Sequence, residues 1–123
     1  MGYKVFGSPK GSRIYGVRIA CYKTSGKRHI ALLVIGKDVS DKMGWQYKTH
    51  VDLAIGDGKE SGWLRLRTNK IGGYALYRPK KQVNALHLRM MRLADDQNHP
   101  MEAIEHKIKS GALYVRLPKW AKV

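Results

Sequence analysis

Asp57-Gly58-Lys59 has the carboxylate-x-lysine order of half a metal-dependent nuclease site, with Asp41 or Asp52 available as a second carboxylate. Such chemistry needs the carboxylates and the lysine fixed at the end of a rigid strand, converging on Mg²⁺. Here the tripeptide lies in residues 56–62 (GDGKESG), which read as a hairpin turn, and turn chemistry alone selects Asp-Gly there. The histidines His29, His50, His87, His99 and His106 show neither H-x-x-x-H nor H-E-x-x-H spacing, and no cysteine set stands near them. They are expected to be structural or to touch phosphate. Cys21 is the single cysteine, so an intrachain disulfide and a Cys-rich zinc module are excluded. Its neighbours Ile19, Ala20 and Tyr22 predict a buried strand thiol rather than a nucleophile. G-x-S-x-G, P-loop and dinucleotide fingerprints are absent from the sequence. The expectation is a non-enzyme with no catalytic residue, no metal and no cofactor, against the alternative of a small Mg²⁺-dependent nuclease centred on Asp57.

The stronger signal is charge. The 123 residues carry 24 Lys and Arg against 9 Asp and Glu, a formal net charge of +15. That imbalance repels itself, and polyanions are its usual counterpart, because phosphates attract the cations and shed counterions on contact. The charge is also segregated. From Met1 to Lys37 the chain has Lys4, Lys10, Arg13, Arg18, Lys23, Lys27, Arg28 and Lys37 and no acid. Residues 38–60 are acid-rich, with Asp38, Asp41, Asp52, Asp57 and Glu60. Residues 63–93 then carry Arg65, Arg67, Lys70, Arg78, Lys80, Lys81, Arg89 and Arg92, again without an acid. A merely solvated face, a membrane surface and a protein-interaction module, such as a phage-encoded inhibitor of a host nucleic-acid-processing complex, compete with a phosphate-binding surface. The alternating pattern of the basic stretches disfavours the basic amphipathic helix that a membrane surface requires, and nucleic-acid mimics are more often acidic.

The elements that must carry these bases are mostly strands. Residues 1–12, with Gly7, Pro9, Gly11 and Ser12, predict a flexible arm, with neither signal peptide nor membrane span expected. The remaining residues, 13–123, predict one β-rich α+β domain with an antiparallel sheet or hairpin core and one or two short helices. Residues 13–23 alternate as a strand, bent at Gly16; residues 24–27 turn; residues 29–35 (HIALLVI) form a strand buried on both faces. Asp38 or Ser40 caps a short helix over residues 39–43, which ends at Gly44. Trp45 then packs inward. Residues 51–55 and 63–67 make the most clearly marked hairpin. Gly72-Gly73 turns into a short strand over residues 74–78, closed by Pro79.

Residues 85–94 (ALHLRMMRLA) align without gaps on residues 112–121 (ALYVRLPKWA), an internal repeat read as two equivalent strands in one sheet or a strand pair across a pseudo-twofold. Between the copies, His99-Pro100 with Met101, Ile104 and Ile108 fits either a short helix or an extended crossover. Tyr74 and Tyr77 flank the Lys80-Lys81 stretch, and Tyr22 adjoins Lys23. Trp45, Trp63 and Trp120 are expected in the core.

Residues 30–67, with strand, helical turn, Met43-Gly44-Trp45, strand, glycine turn and strand in that order, resemble the AbrB/MazE-type swapped-hairpin DNA-binding domain. Gly36-Lys37 stands where that family has a proline, and Thr49-His50 where it has Gly-Asp. The resemblance implies an intertwined homodimer gripping duplex DNA with bases near the start of the first strand, where Lys23, Lys27 and Arg28 stand.

Taken together, these readings predict a cytoplasmic DNA-binding protein, a transcriptional regulator or architectural factor, that contacts phosphates and reads little sequence. Duplex DNA is the favoured partner. Arg13, Arg18, Lys23, Lys27 and Arg28 form a first candidate group. Arg65, Arg67, Lys70, Arg78, Lys80 and Lys81 form a second. Within it Arg65 and Arg67, two apart on a strand, should share one face.

Overall fold

The computed structural model describes residues 15–26, 28–79, 85–91 and 93–121. The predicted N-terminal arm, and with it Arg13, lies outside them, as do Lys27, Lys80 and Lys81.

β1 (Val17–Lys23) and β2 (His29–Gly36) form the expected antiparallel hairpin, in register from Val17 opposite Ile35 to Lys23 opposite His29. The Thr24 backbone N–H and hydroxyl both donate to the Arg28 carbonyl, at 2.8 and 2.9 Å, and tie off the turn. Gly16, at φ +71°, stands just before β1 rather than within it. β2 is buried from Ile30 to Gly36, as its unbroken apolar run predicts.

The helix α1 (Lys37–Met43) starts earlier than the sequence predicts, with Gly36 at its N-cap and no side-chain cap. Asp38 is used elsewhere: its carboxylate accepts the Gly16 N–H at 3.0 and 3.2 Å, tying the helix to the start of β1. The Ser40 hydroxyl donates to the Lys37 carbonyl at 3.2 Å. Gly44, at φ +70°, ends the helix in the left-handed conformation expected of a C′ glycine. Trp45 is buried, and its indole N–H donates to the Thr68 hydroxyl at 2.9 Å.

β3 (His50–Ile55) and β4 (Trp63–Thr68) pair as predicted, from Val51 opposite Thr68 to Ile55 opposite Leu64. The strand expected over residues 74–78 shrinks to β5 (Tyr74–Ala75), because Leu76 turns into the core. β6 (Ala85–Met90), β7 (His99–Ile104), β8 (His106–Lys109) and β9 (Ala112–Arg116) complete the chain. The segment left open between helix and crossover is therefore extended, passing from β7 to β8 through Glu105.

The strands lie in two antiparallel sheets, β6-β2-β1-β7 and β5-β3-β4-β9-β8. One core joins them. Ile19, Leu33, Ile35 and Leu88 from the first sheet and Val51, Leu64, Leu66 and Leu113 from the second belong to a single buried cluster. The sheets are also linked at both sides. Tyr77, just after β5, exchanges backbone hydrogen bonds with His87 of β6 at 3.1 and 2.7 Å. On the other side β7 runs into β8, and the Glu105 carbonyl accepts the Arg116 N–H at 2.8 Å. The result is a flattened ring of strands.

Two further sequence expectations are corrected. The repeat copies do not share a sheet and do not pair: β6 is in the four-stranded sheet and β9 in the five-stranded one. Their likeness reflects a shared task. Leu86, Leu88 and Met90 enter the common core from one sheet, and Leu113, Val115 and Leu117 from the other. Trp63, expected in the core, is only half-buried, because Leu64 and Leu66 take the inward positions of β4. Across residues 30–67 the order strand, helix, strand, turn, strand holds, with β2 in one sheet and β3 and β4 in the other.

Candidate nucleic-acid interface

Alternation fixes what the outer face of the five-stranded sheet displays. Along β4, Leu64 and Leu66 are buried, so Trp63, Arg65 and Arg67 point away from the core. Along β9, Leu113 and Val115 are buried, so Tyr114 and Arg116 point outward. The register then sets neighbours. Arg65 stands opposite Ala54 on one side and Tyr114 on the other, and Tyr114 stands opposite Lys107. Trp63 stands opposite Arg116, and Lys109 opposite Ala112. Arg65, Arg67, Lys107, Lys109 and Arg116 thus share one surface with two aromatic rings.

The rings hold cations in place. Lys107 Nζ lies 4.7 Å from the Trp63 ring centre and 5.7 Å from that of Tyr114, and the Arg116 guanidinium lies 5.6 Å from Trp63. Such contacts are worth about 0.5–1 kcal/mol at exposed sites, enough to bias a side chain without consuming its charge. Asp52, opposite Arg67, is one acid of this face, and its Oδ1 accepts a hydrogen bond from Asn69 Nδ2. Among the described residues, ion pairs occur only between Lys37 and Asp41 and between His99 and Asp95. None of the five bases of the sheet face therefore forms an ion pair with a described acid.

At one end of this face the chain between β3 and β4 folds over tightly. The Gly56 N–H donates to the Trp63 carbonyl at 2.9 Å, and a 3₁₀ turn over Gly58–Glu60 follows. A Cβ on Gly56 would sit 2.1 Å from the Glu60 carbonyl oxygen, so only glycine permits this approach. The fold-over leaves an open hollow of about 450 Å³ whose walls include Asp57, Glu60, Trp63, Arg65, Lys107 and Tyr114. Asp57-Gly58-Lys59 is therefore turn structure. No group of three His, Cys, Asp or Glu residues able to hold a metal ion occurs among the described residues.

The described members of the first candidate group, Arg18, Lys23 and Arg28, are not brought to this surface. Arg18 projects from the outer side of the four-stranded sheet, since Val17 and Ile19 face the core, and it is partly buried. Lys23 is exposed at the far end of β1, five residues on, roughly 17 Å along an extended strand. Arg28 is exposed in the following turn. Of the second group, Lys70 is exposed on the loop leaving β4, and Arg78 is exposed near α1, beside a hollow shared with Lys37, Trp45 and Tyr47. Among the described residues, only Arg65 and Arg67 of the predicted set meet on one face. Lys107, Lys109, Arg116, Trp63 and Tyr114 were missed. The K-I-K alternation of residues 107–109 carried the signal, but only once that segment is read as a strand.

The outer side of the four-stranded sheet has its own polar cluster. Arg89 Nε donates to the Tyr77 hydroxyl at 2.9 Å, and the Tyr77 ring meets the His87 ring edge-on at 5.4 Å. Burial, and then the Arg89 charge, pushes the His87 imidazole below its ordinary pKa. Cys21 is buried as expected. Its thiol donates to the Asp95 carbonyl at 3.8 Å, and burial raises its pKa, the reverse of what an activated nucleophile needs. His99 is held by Asp95 at 2.8 Å and stacks on Trp120 with ring centres 4.5 Å apart.

Among the described residues no helix is long and apolar enough to cross a membrane. Comparison of the chain with protein-family models, with curated proteins and with solved structures gives no match, so the likeness to the AbrB/MazE-type domain rests on residues 30–67 of the sequence alone.

Proposed function

We propose that the protein binds DNA without altering it chemically, as a regulator or architectural factor, and that the outer face of the five-stranded sheet makes the contact. One observation carries the reading: Arg65, Arg67, Lys107, Lys109 and Arg116 share a surface on which no described acid pairs with them. Cations left unpaired in a +15 chain are the groups phosphates neutralise with release of their counterions. Contacts of this kind position the nucleic acid and supply affinity while carrying little sequence information.

A salt-titrated binding assay on duplex DNA, single-stranded DNA and duplex RNA of one length, with Mg²⁺ present, tests this directly. Duplex DNA should bind and remain intact. If each of the five bases meets one phosphate, log K should fall with log salt at a slope of about −4.5. Absence of binding to all three at moderate salt would contradict the proposal. Mg²⁺-dependent cleavage that disappears in Asp57→Ala would replace it with the nuclease alternative.

A further inference from the structure

The hollow at the end of the basic face has a polarity that phosphate binding alone does not explain. Its walls combine the Trp63 and Tyr114 rings, the cations Arg65 and Lys107, and the carboxylates Asp57 and Glu60. Neither carboxylate has a hydrogen-bond or ion-pair partner among the described residues. A site for phosphate alone gains nothing from two carboxylates. A site for a whole nucleotide uses all three kinds of group: cations for the phosphate, a ring for the base, and acceptors for amine hydrogens on the base edge. The hollow's volume, about 450 Å³, lies within the ~300–1,000 Å³ range of small-ligand sites.

Resting on the DNA-binding reading, we propose that this hollow is a subsite for one unpaired nucleotide projecting from the bound DNA, selective for a base that carries an exocyclic amine. The base lies against Trp63, displacing Lys107 toward the phosphate. Its amine donates to Asp57 or Glu60. Ionised carboxylates only accept hydrogen bonds, so thymine, whose O4 carbonyl stands where cytosine has its amine, sets acceptor against acceptor at that position and loses the bond. The cations stand on β4 and β8 and the carboxylates in the β3–β4 connection, so the phosphate is drawn to Arg65 and Lys107 and the base edge to Asp57 and Glu60.

Fluorescence anisotropy with three DNAs of one sequence tests this: a fully paired duplex, the same duplex with one bulged dC, and the same with one bulged dT. The dC bulge should bind roughly tenfold tighter than the paired duplex, the scale of one base stacked on an aromatic ring. The dT bulge should gain less. Trp63→Ala should bind the dC bulge no more tightly than it binds the paired duplex, whatever it loses on that duplex through Lys107 and Arg116. In case that variant fails to fold, the exposed pair Asp57→Ala and Glu60→Ala should abolish the preference for dC over dT. Equal binding of all three DNAs by the unaltered protein would overturn the subsite and leave the DNA-binding reading standing, as would a dT bulge that binds as tightly as the dC bulge. Failure of every DNA to bind would overturn both.

Discussion

Trp63 sits outside the core for a reason of register. In Trp-Leu-Arg-Leu-Arg only one alternate set can point inward, and Leu64 and Leu66 fill those positions with Leu113 and Val115 as neighbours. Hydrophobicity alone assigns the ring to the core, whereas strict alternation assigns it to the face with Arg65 and Arg67. The shared direction of those two arginines was legible in the sequence for that same reason. His87 was not legible. It alternates with Leu86 and Leu88 and so should face solvent, yet it is buried. Its lowered pKa gives a signed expectation. Below the ordinary value of 6.5 the unfolded chain takes up a proton that the folded chain resists, so stability falls as pH drops through that value. One such proton is worth at most about 1.4 kcal/mol per pH unit. Urea unfolding of the wild type and His87→Leu at pH 7.5, 6.5 and 5.5 should show the wild type losing more stability on acidification. Equal losses would show that His87 is not held neutral by the fold.

The β3–β4 hairpin is the element whose existence, register and turn the sequence marks most clearly, through alternation on both sides of a glycine-dense loop. The closeness of the turn was hidden. Gly56 meets the Glu60 carbonyl oxygen, a contact set by three-dimensional folding of residues 56–62 and absent from any pattern. Gly56→Ala should therefore destabilise the protein by about 1–3 kcal/mol, as overpacking does. Gly26→Ala, where a Cβ would meet only the Thr24 hydroxyl at 3.7 Å, should stay within about 0.5 kcal/mol of the wild type. Similar urea midpoints for the two variants would show that the turn relaxes freely. Residues 95–110 mark the opposite limit. Pro100, the acids and sparse apolar residues give neither period, and pairing with β1 and β9 decides the conformation. Lys107 and Lys109 were lost to the sequence reading with that segment.

The whole molecule separates the predicted bases that charge patterning alone pools together. Two acid-free stretches look like one extended basic surface in the sequence, but β1 and β4 lie in different sheets on opposite sides of the shared core. Arg18 and Lys23 therefore belong to the four-stranded sheet, Arg18 on its outer face and Lys23 at the exposed end of β1, and Arg65 and Arg67 to the outer face of the five-stranded one. β7 and β8 each leave one edge without a partner strand among the described residues, and Pro100, Lys107 and Lys109 on those strands are residue types that discourage strand addition. The central claim, that the five-stranded face is the DNA-binding surface, is tested most directly by comparing charge reversal on the two sides. Salt-dependent affinity for several unrelated duplexes would be measured for the wild type, for Arg65→Glu/Arg67→Glu and for Arg18→Glu/Lys23→Glu. The first double variant should bind every duplex more weakly and flatten the salt slope by about 2, one for each phosphate that the removed arginines no longer neutralise. The second should retain the wild-type slope. The reverse pattern, or an equal loss in both, would contradict the assignment of the site.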